Sequence, residues 1–505
     1  MIAVSDKWKD IQQRFLLPET YIEIDCAITD TEAQGSAVGV GVNEEFFSNV
    51  ATVLDSDENI TMYATNELNL WALDGTQKIA LDAAPYEPAG YVSNTESSGS
   101  IVLTFSRLQE TAVAGVTITW GESYGEYPSV FTVSAKKGNT VAAETTVTNN
   151  ISQTSVVSLK LVNYDSIVIT VHSWVLPYRR ARIENVAIGH MLTLTKNDIL
   201  SFTHEMHGDL MSGEIPKYSI EFTMDNSDGR WDPNNPQGIE QFLAERQKLT
   251  VRYGLDINGI IEWIPAGTFY LSEWNIPSNG LEARFVARDV FEFLLNVDMK
   301  GARYGTLDDL AKIAMLYQLP EDAAVSIDPV LKQYTGVQDQ GNNTAAEIVQ
   351  KCANAAQCIL RYDRAGGLYI ERLNQTLTDY RITQALSYSY PEITLSKPLK
   401  SVSVSYGGDN PLELQVSTEG EVQTVDNDFI VKIEQARDVA FFVRDILKTR
   451  QTVRGEFRAD PRLDLYDVVT VEGKYGEIKP VVITNIKYTF NGALHGSYEG
   501  RVLEG

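Results

Sequence analysis

Alternation of apolar and polar residues with a period of two recurs along most of this chain, and strands with one buried face are what such a pattern encodes. Ile22 and Ile24 alternate with Glu23 and Asp25, and Val116, Ile118 and Trp120 with Thr117 and Thr119. Ile220, Phe222 and Met224 stand against Glu221 and Thr223, and Val402, Val404 and Tyr406 against Ser401, Ser403 and Ser405. Phe131, Val133 and Ala135, then Ile167, Ile169 and Val171, repeat the device. From Phe46 to Gly189 the segments are short, broken by Gly, Pro, Asn and Ser, with almost no helical periodicity. Strand lengths and turn spacing there suit two packed sheets. The predicted class is mainly β with some α.

A second β-rich stretch runs from Met191 to about Asn296, with LTVRYG and ARFVAR as further strands and the turn DNSDGRWDPNNP among them. Gly229 gives that turn freedom for positive φ, while Pro233 and Pro236 forbid ladder pairing, so the chain must leave the sheet and return. Helical signals come late. Thr306 with Asp309, and Thr344 with Glu347, resemble capping boxes ahead of apolar faces (Leu307, Leu310, Ile313, Leu316; then Ile348, Val349, Cys352, Ala355, Ile359), which predicts two helices between about 305 and 360. The strand LYIERL follows, and a third helix is expected from Glu434 to about Arg450, with Ala436, Val439, Ala440, Val443 and Leu447 on one face. The chain ends in strands around VVTV, VVITNIKYTF and SYEGRV, so a sheet with one helix recurs and suggests an internal duplication.

With 505 residues the chain outgrows one hydrophobic core, and three or four domains are expected. A net charge of −26 argues against a surface that grips nucleic acid, because phosphate is held by clustered Lys and Arg. Cys26, Cys352 and Cys358 imply no disulfide framework. The start, MIAVSDKWKDIQQRF, has no apolar signal region, and no stretch reaches the roughly 18 apolar residues of a membrane span. Neither export by a signal peptide nor membrane anchoring is expected.

The search for chemistry finds no constellation. His204 and His207 in FTHEMH are three apart and read as loop or strand with no third metal ligand implied. Asp225, Asp228 and Asp232 lack the ligand spacing of a calcium loop, and a tight turn is the better reading. Cys352 and Cys358 are six apart and read as buried core thiols. There is no phosphate-cradling Gly-Lys loop, dinucleotide fingerprint or GxSxG elbow. No catalytic, cofactor or metal residue is therefore assigned, and no enzyme is expected.

The passage FTMDNSDGRWDPNNPQGIEQFLAERQKLTVRYGLD resembles one found in tail hub proteins of phages of Gram-positive bacteria. ADPRLDLYDVVTV, followed by ITNIKYTFNGALHGSYEGRV, resembles the closing strands of the same hubs. The resemblance implies two tube-type β-barrel domains per chain, a small α+β domain between them, and a homotrimer whose pseudo-sixfold face meets a sixfold tail tube. It divides the chain into a first barrel (1–45 and 190–296), a small α+β domain (297–392) and a second barrel (393–505) with the helix at 434–450. The implied partners are the distal tail or tail-tube protein, the tape-measure protein's C-terminus, and tip or receptor-binding proteins, with DNA passing through unbound. Localisation in the virion tail tip or baseplate follows, after assembly in a bacterial cytoplasm.

Residues 46–189 interrupt the first barrel. ELNLWALDG, VAGVTITWGESYGEYPSVFTVSAKKG and VITVHSWVLPYRRARIENVAIG resemble galactose-binding-type jelly rolls and carbohydrate-binding sandwiches of tail proteins. Among Trp71, Tyr86, Tyr91, Trp120, Tyr124 and Tyr127, exposed rings could stack on host glycans, with Tyr86, Tyr91, Tyr124 and Tyr127 the candidates; the favoured reading is that Trp71 and Trp120 pack the sandwich and the others are scattered. Arg179, Arg180 and Arg182 in PYRRARIE suit ion pairs, at a subunit contact or within the domain. Three readings follow: an architectural hub, an adhesin for surface carbohydrate through residues 46–189, and a cell-wall hydrolase that lacks a visible catalytic set.

Overall fold

The computed structural model describes residues 1–14, 19–30, 33, 36–43, 64–66, 92–93, 100–120, 127–175, 179–235, 238–277, 280–299, 305–316, 319–320, 323–335, 343–408 and 410–503. The class is mainly β with some α, as the alternation predicts. The chain divides into two compact units. One comprises Met1–Ile24, Leu194–Asp232 and Lys248–Gly505; the other comprises Asp25–Thr193 and Pro233–Gln247.

In the second of these units, a five-stranded sheet runs in the order Ala37–Asn43, Ser100–Gln109, Tyr164–Trp174, Pro128–Lys137, Thr140–Thr148. A second sheet places Val113–Trp120 between Thr154–Leu161 and Arg179–Thr195. Their apolar faces share one core, in which Val116, Ile118 and Trp120 meet Phe131, Val133, Ile167 and Ile169. The alternation read from the sequence is thus the inward register of both sheets. Trp120 packs edge-on against Phe131 (5.2 Å) and Trp174 (6.0 Å), and its indole N–H donates to Ser155 Oγ at 2.9 Å. Gly115 is required where the chains come closest, because a Cβ there would sit 1.9 Å from the Val157 carbonyl oxygen.

The other unit is organised around the strand Ile478–Phe490. Along one edge it pairs with Leu494–Val502, which pairs with Gln451–Arg458, which pairs with Glu392–Leu395. Its other edge is shared. Residues 478–482 pair with Val468–Glu472, itself parallel to Leu377–Ile382, and residues 485–490 pair with Ile199–His207. From there the sheet continues through Lys217–Asp225, Glu282–Arg288, Ile260–Asn275 and Lys248–Ile257. Among the described residues no sheet closes on itself as a barrel: Glu392–Leu395 ends one side as an edge.

Two helices of this unit start at the capping signals read from Thr306 with Asp309 and Thr344 with Glu347. Leu307–Leu316 packs on Ala345–Ala355, where Thr344 and Glu347 form the reciprocal capping box. A small sheet of Val325–Ile327, Leu368–Glu371 and Ile359–Tyr362 accompanies them. Ile433–Leu447 lays Ala436, Val439, Ala440 and Val443 on the sheet formed by Asn410–Gln415, Leu399–Tyr406 and Glu421–Val425.

Candidate functional site

The chain's most concentrated chemistry lies where the two halves of the large sheet meet. Phe202 stands opposite Phe222 on one neighbouring strand and Phe490 on the other, and Phe222 in turn opposes Phe285. All four rings are buried. Alternation explains this row, since each phenylalanine occupies an inward position of its strand. Two residues on, His204 is sealed from water with Nδ1 3.0 Å from the Tyr253 hydroxyl. Phe269 lies edge-on to its ring and Tyr488 tilts beside it. Burial, then the nearby positive charge of Arg364, pulls the His204 pKa well below its ordinary value.

Arg364 reaches this site from the turn between Ile359–Tyr362 and Leu368–Glu371. It donates to the main-chain carbonyls of Pro461 and Leu463, and its Nε lies 3.6 Å from Asp464. The same loop is braced from the other side by Tyr488, whose hydroxyl is 3.0 and 2.9 Å from the carbonyl oxygens of Asp460 and Leu463. Asp460 is itself buried and takes a two-point contact from Arg462. Arg458 donates to the carbonyls of Gln12 and Arg14 at the end of the helix Asp6–Gln12. The residues of ADPRLDL therefore order backbone rather than face a substrate. Buried main-chain acceptors need such donors, because an unpaired one costs about 1–3 kcal/mol.

The acidic turn is a turn. Asn226 Oδ1 accepts the Trp231 N–H at 2.9 Å while its amide donates to the Gly280 carbonyl at 3.0 Å. Asp225 and Asp228 accept the N–H groups of Ser227 and Arg230, both at 3.0 Å, and Gly229 has φ 70°. Trp231 is buried edge-on against Phe285, 5.0 Å between centroids. His204 and His207 lie three apart on one strand and so face opposite ways, the first buried and the second near Glu214. Among the described residues no group of three or more His, Cys, Asp or Glu is placed to hold a metal. Cys352 and Cys358 are both buried, and burial pushes the Cys358 thiol up to about 12.

Tyr86, Tyr91 and Tyr124, like Trp71, lie outside the described residues. Tyr127 is half-buried against the sandwich core. The main chain at Arg179 and Arg180 belongs to a strand and pairs with Ser93 and Val92. A polar cleft of about 220 Å³ lies between Gln350, Asn354 and the run Gln423–Asn427. Its amides already serve the fold: Asn354 donates to the Met211 carbonyl and Asn427 to the Lys351 carbonyl, each at 2.8 Å. No sequence pattern pointed to Arg364, because the acceptors of its hydrogen bonds are the main-chain carbonyls of Pro265, Pro461 and Leu463, contributed by distant segments.

No known protein family matches the chain, and no curated protein does. Several solved structures are similar to part of it. A 43 kDa tail protein of prophage MuSo2 from Shewanella oneidensis is 13% identical with a TM-score of 0.44, covering 62% of this chain and 94% of that one. A tail protein from Neisseria meningitidis is 11% identical with a TM-score of 0.46, covering 61% and 93%. A prophage tail protein from Listeria monocytogenes is 12% identical with a TM-score of 0.41, covering 61% and 91%.

Proposed function

We propose that this chain is a structural subunit of a phage-type tail: a homotrimeric hub ring at the distal end of the tube that adapts sixfold to threefold symmetry and conducts DNA. The observation that carries this reading is the pairing at Phe202. The two passages that resemble hub sequences are far apart in the chain, yet FTMD and ITNIKYTF flank the same strand, with Phe222 and Phe490 opposite one phenylalanine. Two independent resemblances converge on one sheet, which is what a single structural element split along the sequence requires. The buried hydrogen-bond network beside it orders backbone and presents no nucleophile, acid or base to solvent. That suits architecture better than catalysis.

In this reading the small α+β part (297–392) and the strands after it complete the ring subunit, and partners are the tail-tube or distal tail protein, the tape-measure C-terminus and the tip proteins. The net charge of −26 repels DNA phosphates and keeps the passage free of specific binding. Native mass measurement and negative-stain imaging of the purified chain, alone and beside tail-tube protein, test it. Rings of three copies are expected. A monomer that stays unassembled beside the tube protein sinks the hub reading.

The second reading, an adhesin that binds host carbohydrate through residues 46–189, draws on the sandwich described above. A glycan array with the full chain decides it: binding lost on truncating Tyr86, Tyr91 or Tyr124 supports the adhesin, and a blank array leaves architecture alone.

A further inference from the structure

Three Asn-Gly pairs occur in the sequence, at Asn258, Asn279 and Asn491. In such a pair the asparagine side chain is open to attack by the next main-chain nitrogen, because glycine has no Cβ to shield it. Nothing lies within 4 Å of where a Cβ would stand at Gly259, Gly280 or Gly492, so steric access does not separate the three. What separates them is the N–H of the glycine.

The nucleophile is that nitrogen after it has given up its proton, and an N–H held by an acceptor gives it up less readily. Gly259 N donates to the Asp256 carboxylate at 2.6 Å. Hydrogen bonds to an ionised acceptor are among the stronger ones, and the negative oxygen also opposes an anion forming beside it. Gly280 N donates to the Pro277 carbonyl at 2.9 Å, while Asn279 itself lies outside the described residues. Asn226, followed by Ser227, is held by its side chain instead, which accepts the Trp231 N–H and donates to the Gly280 carbonyl.

Asn491 is different. It lies in the short connection between Phe490 and Leu494, which stand opposite each other at the end of the hairpin of Ile478–Phe490 and Leu494–Val502. Asn491 and Gly492 are exposed, and Gly492 has φ 105°. Among the described residues, neither the Asn491 amide nor the Gly492 N–H has a hydrogen-bond partner. Asn258 is exposed as well, so exposure alone does not set the two apart.

We propose that Asn491 is a site of spontaneous deamidation, and that Asp256 protects Asn258 from the same reaction. The Gly492 nitrogen loses its proton and bonds to Asn491 Cγ, ammonia leaves, and a succinimide ring remains. Water then opens the ring at one of its two carbonyls. One opening gives aspartate; the other gives isoaspartate, whose main chain runs through Cβ and Cγ. Either product adds a negative charge, and isoaspartate also lengthens the main chain between two buried residues, Phe490 and Leu494. The reaction needs only water and this chain, so it holds whatever the chain assembles into.

The test is incubation of the full chain in warm, mildly alkaline buffer, followed by peptide mapping with mass measurement and chromatographic separation of aspartate from isoaspartate. Asn491 is expected to convert about tenfold or more faster than Asn258, the factor implied by breaking one hydrogen bond to a charged group. Asp256→Ala should raise the Asn258 rate towards that of Asn491 and leave Asn491 unchanged. In denaturant, where neither loop is held, the two sites should convert at similar rates. Equal rates in the folded chain overturn the proposal, and so does a difference that persists in denaturant, because it then comes from flanking sequence and not from the fold. An Asn258 rate unmoved by Asp256→Ala overturns the protective role of Asp256.

Discussion

Phe202 stands directly opposite Phe490, so residues from the two ends of the large unit's sequence share one buried row. Contacts of this separation form late in folding and hold the halves of the sheet together afterwards. Phe202→Ala should lower unfolding free energy by about 3–5 kcal/mol, the cost of a large buried cavity. Leu200→Ala, two residues away on the same strand and half exposed, should change it by less than about 0.5 kcal/mol. Urea unfolding of both variants separates packing from strand propensity.

His204 gives a pH signature. Its folded pKa lies well below the ordinary 6.5, so on acidification the unfolded chain takes up the proton first. Its contribution is constant above about pH 6.5 and is lost as pH falls below that value. Stability should therefore drop between neutral pH and pH 5 more steeply in wild type than in His204→Phe. Equal slopes in the two proteins count against a neutral, sealed imidazole.

Asp289 acts with the opposite sign. It is buried, accepts the N–H groups of Tyr218 and Phe291 at 2.8 and 2.7 Å, and burial raises its pKa from 3.8 to about 7. Between those two values the folded chain holds a proton that the unfolded chain has released. Its contribution is thus fully present below pH 3.8 and is lost as pH rises through about 7. Asp289→Asn should remove that fall while forfeiting one of the two acceptor oxygens. The check is the difference in unfolding midpoint between mild acid and pH 8, variant against wild type.

Arg364 should be the least replaceable cation in the chain. Arg364→Met leaves the Pro461 carbonyl without its donor, the Leu463 carbonyl with Tyr488 alone and Asp464 without its partner, at a cost of about 3–5 kcal/mol. Arg364→Lys should recover only part of this, since an ammonium cannot reproduce the guanidinium's fixed fork. Thermal melts of both variants, with hydrogen exchange at residues 461–465, report it.

Much of the fold was legible because its signals are local. The Thr344 and Glu347 capping box starts its helix where expected, and the final helix spans Ile433–Leu447 against an expected 434–450. The Asn226–Trp231 turn was legible from Gly229 and the acidic side chains that satisfy their own backbone. Pairing partners were not legible. Period two says which face of Phe202 is buried but not that Phe490 lies beside it, because many strands in this chain offer the same pattern. The expected barrels met the same limit: alternation cannot say whether Glu392–Leu395 is joined on both sides. Arg364 was invisible for a different reason, as its acceptors are carbonyl oxygens that every residue carries. Of the sugar-contact candidates, Tyr86, Tyr91 and Tyr124 fall on residues that the structure does not describe.

The strand Ile478–Phe490 gives one edge to two different neighbours, Val468–Glu472 along its first part and Ile199–His207 along its second. Pulling those neighbours apart along the strand axis would load both ladders in shear, so many hydrogen bonds must yield together and none can be peeled singly. The strand is then a tie rod: tension entering one half of the sheet leaves through the other with little stretch between them.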